Sequence, residues 1–146
     1  MSQESQRSFI TAKVANADFG LPVKIPNLPF VQPTNAPWAE FYLMGGTPPI
    51  VAGGSGPGMI VERTIRMIQL SIWIPEGKGL KPGTDPLDVF ENLFAYKIGR
   101  DKDGLAYEFK GMQSFTPTVG AGWTCLVGRI PYRVDRQTRI PVTATL

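Results

Sequence analysis

Histidine is absent from this 146-residue chain. That excludes Ser-His and Cys-His nucleophile activation, histidine metal ligation and histidine acid/base catalysis. Cysteine is nearly absent too. A lone Cys125 can form no internal disulfide and no thiolate zinc site. It sits in the apolar run Trp123-Thr124-Cys125-Leu126-Val127, which predicts a small buried side chain rather than a reactive thiol. Charge is sparse as well, at 18% of residues against the usual quarter or so. No apolar run approaches the ~18–20 residues that span a bilayer. Met1–Gln6 is polar, without the basic and apolar regions of a secretion signal. The expectation is a soluble protein made in a reducing cytosol, with no membrane partner and no cofactor.

Glycine and proline are abundant, at 16 and 14 residues, and 42% of the chain is hydrophobic. A chain this long can remove roughly two-thirds of its unfolded surface from water, so a single domain over 1–146 can build its own core. The composition describes β-strands joined by long punctuated loops.

The N-terminal 1–20 reads as a short helix, or an arm that orders against a partner, from Phe9, Ile10, Ala12, Val14, Ala15 and Ala17. Leu21–Phe30 carries prolines at alternating spacing, which remove backbone donors and predict an edge strand or extended crossing. Trp38–Met44 reads as an aromatic strand. Residues 45–58, nearly uncharged, read as one long hairpin loop containing Pro48, Pro49, Ile50, Val51, Gly54 and Gly56. Its glycines form no phosphate loop, because no Lys-Ser/Thr follows and the next element is a strand.

Met59–Ile74 is the strongest strand, with seven of sixteen residues β-branched. Its parity switches. Up to 67 the apolar residues are Met59, Val61, Ile65 and Met67, opposite Glu62, Thr64 and Arg66. From 68 they are Ile68, Leu70, Ile72 and Ile74. A β-bulge near 67–68, or a different neighbour beyond it, explains the change of face. Sixteen residues span about 53 Å if straight. A globule of this length is about 38 Å across. Either the strand bends, or its hairpin with 38–44 projects and suits contact with another subunit.

A helix is predicted over about 85–98, capped by Asp85, with Pro86 in its first turn and Leu87, Phe90, Phe94 and Ile98 on one face. Gly99 is its stop. Asp101–Gly104 reads as a turn; it lacks the further ligands of a calcium loop. Leu105, Tyr107 and Phe109 alternate as a half-buried strand. Trp123–Val134 is a last strand, placed at least partly at an edge by Pro131. The fold class is therefore α+β: a bent antiparallel sheet with a long projecting hairpin, one main helix on one face and a short N-terminal helix.

The net charge of +3 lies in residues 129–139, where Arg129, Arg133, Arg136 and Arg139 face Asp135 alone. Such a segment suits an acidic partner or phosphate; the plainer reading is the solvent face of a final strand. Trp123 and Tyr132 among these arginines offer a thin version of a single-stranded nucleic-acid surface. The carboxylates are accounted for by caps, turns and polar strand faces, so no catalytic pair stands out and no enzyme is expected.

Ile25-Pro26-Asn27-Leu28-Pro29-Phe30, Pro37-Trp38, the long strand ending in Trp73-Ile74-Pro75-Glu76-Gly77-Lys78-Gly79, the Asp85–Ile98 helix and the final Ile130-Pro131-Tyr132-Arg133-Val134 occur in that order. Over about residues 20–135 this resembles the tail-terminator-like proteins of long-tailed bacteriophages. The resemblance implies a hexameric ring at the head-proximal end of the virion tail, assembled in the bacterial host cytoplasm. Such a ring caps the major tail tube protein, ends tube polymerisation and presents a surface to a head-completion or connector protein. Double-stranded DNA passes through its lumen without sequence-specific binding. It implies no catalytic residues and no metal. The expected contacts to tube or neighbour are loop 45–58 and segment 76–83, with Glu76, Lys78 and Lys81, while the arginine segment faces an acidic partner or the channel. The alternatives are another head–tail connector or tube ring protein, and a single-stranded nucleic-acid-binding module.

Overall fold

The computed structural model describes residues 3–46, 48–54 and 58–139. In chain order the elements are α1 (Gln3–Ala15), β1 (Val23–Lys24), β2 (Trp38–Met44), β3 (Ile50–Gly53), β4 (Met59–Pro75), α2 (Lys81–Phe94), β5 (Ile98–Arg100), β6 (Ala106–Phe109), β7 (Gln113–Ser114), β8 (Thr118–Gly120) and β9 (Trp123–Arg139). The class is α+β. The sheet is mixed rather than purely antiparallel, because β1 joins β2 in parallel.

One pairing dominates. β4 and β9 run antiparallel in a single register from Met59 opposite Arg139 to Pro75 opposite Trp123. The sheet order around them is β1-β2-β4-β9-β6-β5; β3 also pairs with β4, and β7 and β8 with β9. β9 is thus central over most of its length, which corrects the edge assignment drawn from Pro131. The N–H and C=O of a strand residue point to the same side. The Pro131 carbonyl accepts from the Lys110 N–H at 2.8 Å, just where β6 has ended and β7 has not begun. The donor that proline lacks faces that gap, so no ladder bond is lost.

No bulge interrupts β4 at 67–68, since its registers with β2 and β9 both run through that point. The parity switch marks a change of neighbour. β2 ends at Met44 opposite Met67, and β3 takes over with Ile50 opposite Arg63. The irregularity is on β3, between Val51 and Gly53.

Both helices lie on one face of the sheet. Ile68, Leu70, Ile72 and Ile74 of β4 and Ile130, Tyr132 and Val134 of β9 are buried there against Leu87, Phe90 and Phe94 of α2 and Ile10 and Val14 of α1. Close approach explains two glycines. A Cβ on Gly83 would lie 2.8 Å from the Ile74 Cδ1, and one on Gly128 2.8 Å from the Leu87 Cδ2. Aromatic rings knit the centre: Phe94 lies 5.2 Å from Phe109, and Phe109 5.1 Å from Tyr132. On the opposite face Trp38 stacks on Trp73 at 5.9 Å and meets Phe30 at 5.6 Å. Cys125, opposite Trp73, is buried, and burial pushes its thiol pKa up.

α2 begins and ends four residues earlier than the 85–98 expectation. Pro82, in the first turn, supplies the start, where backbone N–H groups have no helical acceptor. Asp85 is therefore inside the helix and Pro86 is an interior proline. At the other end Tyr96 adopts φ 60°, and Ile98 joins an edge strand with 80% of its surface exposed.

Asp101 ties α1 to the sheet. One carboxylate oxygen accepts from Ser5 Oγ and Tyr107 Oη, each at 2.8 Å. The other accepts from the amides of Asp103 at 2.9 Å and Leu105 at 3.0 Å. Burial works to raise its pKa, but these four donors together hold it below the ordinary aspartate value. Tyr107, buried and donating to that carboxylate, is pushed well above the usual tyrosine range.

Two substitutions test this core. Phe94→Ala should lower unfolding stability by about 3–5 kcal/mol in urea titration. Asp101→Ala should lower it by about 1–3 kcal/mol and speed hydrogen exchange in α1 selectively.

Candidate assembly surface

Past Met67 and Asp135 the β4–β9 ladder continues beyond its partners β2 and β6, which end there. β3 is its remaining neighbour there, so 50–53 form a strand where one uninterrupted loop over 45–58 was expected. Ile50 and Val51 are 51% and 66% exposed, and Pro48, Pro49 and Gly54 are exposed beside them. Gly54 lies so close to β4 that a Cβ would come within 2.6 Å of the Met59 carbonyl. Gly56 lies outside the described residues.

Glu76, Lys78 and Lys81 are at the other end of β4. Glu76 and Lys78 are exposed in the turn after Pro75, and Lys81 opens α2, 3.8 Å from Asp85. Seventeen residues of extended strand, about 56 Å, separate the two expected contact segments. The fold keeps them apart, at opposite ends of the sheet.

The arginines of β9 are divided between the faces and tied to neighbours. Arg129 donates through Nε to Gln69 at 2.6 Å and lies 4.6 Å over the Phe115 ring. Arg133 bridges to Glu108, which Lys110 also holds at 2.8 Å. The hydrogen bond from Lys110, joined by the charge of Arg133, lowers the Glu108 pKa. These lie on the face away from the helices. Arg136 lies on the helix-bearing face, 3.2 Å from Glu62. Arg139 pairs through its backbone with Met59; its side chain lies outside the described residues. One carboxylate beyond the expected set belongs here: Asp135 receives Arg63 bidentately at 2.8 and 2.9 Å, which lowers its pKa. Instead of a free basic patch, Arg133 and Arg136 are in cross-strand ion pairs and Arg129 in a cross-strand hydrogen bond.

A shallow depression of about 300 Å³ on the away face is lined by Arg100, Glu108, Arg133 and Asp135 with Ile98 and Ala106. Glu108, Arg133 and Asp135 are engaged in those same ion pairs, and Arg100 donates to the Gly104 carbonyl at 3.4 Å. No group of three histidine, cysteine or carboxylate side chains among the described residues is placed to hold a metal. No helix among them is long and apolar enough to cross a membrane.

No protein-family model matches the chain, and no curated protein does. Several solved structures do. One, known only by a sequence identifier, is 20% identical with a TM-score of 0.69, over 92% of this chain and 96% of that one. The likeness is one of fold. It spans nearly the whole of both chains and is silent on activity and partners.

Sequence reasoning missed the polar residues on the helix-bearing face: Arg66 opposite Tyr132, the buried Thr64 opposite Val134, and Glu62 opposite Arg136. The signal was present. Glu62, Thr64 and Arg66 share the parity of Ile68–Ile74, which means the buried face runs out into polar residues before the strand ends.

The lowered pKa values of Asp101, Asp135 and Glu108 fix a sign. Their contribution is fully present above the unfolded carboxylate pKa of about 4 and is lost as pH falls through the folded values. The urea midpoint should fall between about pH 5 and pH 2, and Asp101→Asn should flatten that fall. An unchanged slope in the variant would remove Asp101 from the account.

Proposed function

We propose that this chain is a structural virion protein whose copies form a ring at the head-proximal end of a phage tail, capping the tube and ending its polymerisation. The ring also presents the head-joining surface, and it has no catalytic role. The supporting observation is the length of the β4–β9 ladder: about 56 Å of strand in a globule about 38 Å across. Its Met59–Arg139 end forms an arm that outruns β2 and β6, with β3 along one side. An arm with exposed Ile50 and Val51 suits burial by another chain. The reading rests as well on the tail-terminator resemblance of residues 20–135.

Partners on this reading are further copies of the chain, most simply six, the major tail tube protein, and a head-completion or connector protein. Double-stranded DNA passes through the lumen without sequence readout. The pairing of Arg129, Arg133 and Arg136 within the chain weighs against a nucleic-acid-binding module, which needs unpaired cations along its aromatic surface. Another connector or tube ring protein of the same virion remains the second reading, on the same arm.

Light scattering across a concentration series, with negative-stain images of the same sample, tests the proposal. Rings, alone or on added tail tube, are expected. A single chain that ignores tube and binds oligonucleotide with steep salt dependence overturns it. Ile50→Lys with Val51→Lys should leave stability within about 0.5 kcal/mol, since both side chains are largely exposed, and should abolish capping. Normal-length tails assembled with that variant would rule out the arm as the contact.

A further inference from the structure

We propose that neighbouring copies join through the backbone edges of their arms, β3 of one chain pairing in parallel with the end of β9 of the next. The proposal rests on the ring reading above and names its subunit interface.

The arm is a ribbon of three strands, β3-β4-β9, with both of its edges open. On one side β3 pairs with β4 and with no other strand among the described residues. On the other side β6 ends opposite Asp135, so Arg136–Arg139 of β9 have β4 as their one strand neighbour. Both edges are accessible: Ile50, Val51 and Gly53 are exposed on the first and Gln137 on the second. An edge strand turns alternate backbone N–H and C=O groups outward, which is a template for a further strand. Nothing in β3 guards against that pairing, since Ile50–Gly53 carries neither a charge nor a proline. Its irregularity between Val51 and Gly53 bends the strand, as bulges do at the rims of barrels.

The two edges lie at one height. Val51 is opposite Glu62, which is opposite Arg136; Gly53 is opposite Val61, which is opposite Gln137. A rotation therefore brings β3 of one copy beside β9 of the next without a shift along the strands. Because β3 and β9 both run antiparallel to β4, the new pair is parallel. The outermost edges of the whole sheet do not match in this way. β1 is level with Leu126 and Val127 of β9, and β5 with Arg133–Asp135, at least six residues, about 20 Å, away. Pairing like edges is poorer as well. Two β9 ends would bring the Arg136 and Arg139 of two chains together, and like charges across a ladder repel. Two β3 strands would leave both β9 edges unused. Different edges, each used once per chain, make a heterologous contact, the kind that closes a ring. With six copies the arms form a barrel of about eighteen strands, the size class that keeps an open channel.

Residue-resolved hydrogen exchange on the unaltered protein, compared between rings and the single chain at dilution, reads this contact at the backbone. Alternate amides within 50–53 and within 136–139 should exchange about tenfold or more slowly in the ring. Rings in which either segment keeps its single-chain rate overturn the proposal while leaving the ring reading intact. Slowing at 50–53 alone is one such result, and it assigns the edge to β3-on-β3 pairs. A protein that stays a single chain at every concentration and on tail tube overturns both.

Discussion

Everything in this fold hangs on the ladder between β4 and β9. Seventeen residues of each strand meet in one register, so every side chain on one strand has its face and its opposite number set by the other. That register puts Ile68, Leu70, Ile72 and Ile74 beside Ile130, Leu126 and Gly128 and gives both helices a common apolar floor. It equally sets Arg63 against Asp135 and Glu62 against Arg136. A slip of one residue would turn the buried isoleucines to solvent and break those ion pairs together. The remaining strands are short and are added along this pair.

The ladder outruns the hydrophobic core. Burial follows this face from the Trp123 end as far as Val134 and Thr64, and past that pair the face turns to Glu62, Arg136 and Thr138. The core there is not failing; it has ended, and the strands continue. Buried polar atoms without partners cluster in that region, at Arg66, Tyr132, Arg136 and Thr138.

Much of the architecture was legible in the residues. Apolar alternation in 105–109 and β-branched density in 59–74 identified strands, and the 87/90/94 spacing identified a helix. These signals are local, so they survive without tertiary information. Helix boundaries were not legible, because Asp85-Pro86 imitates a helix start while Pro82, four residues earlier, is equally compatible with one. Ile98 continued the helical period yet went to a strand, since β6 offered it a hydrogen-bonding edge. Pro131 suggested an edge strand because a sequence does not reveal that a neighbour stops just where the missing donor points.

The sequence by itself determined the chemistry that is unavailable, the α+β class, the face of α2 that is buried and the parity switch at Met67. Each follows from residue type or from a period of a few residues. Only the tertiary structure decided what that switch means, that β9 is central, that 50–53 is a strand, and that Arg133 and Arg136 are held in ion pairs on two faces. Those facts depend on which distant segments pair and in what register. Ion-pair partners such as Arg63 and Asp135, or Arg136 and Glu62, stand more than seventy residues apart in the chain. Burial of the whole apolar set, acting on all strands together, selects that pairing.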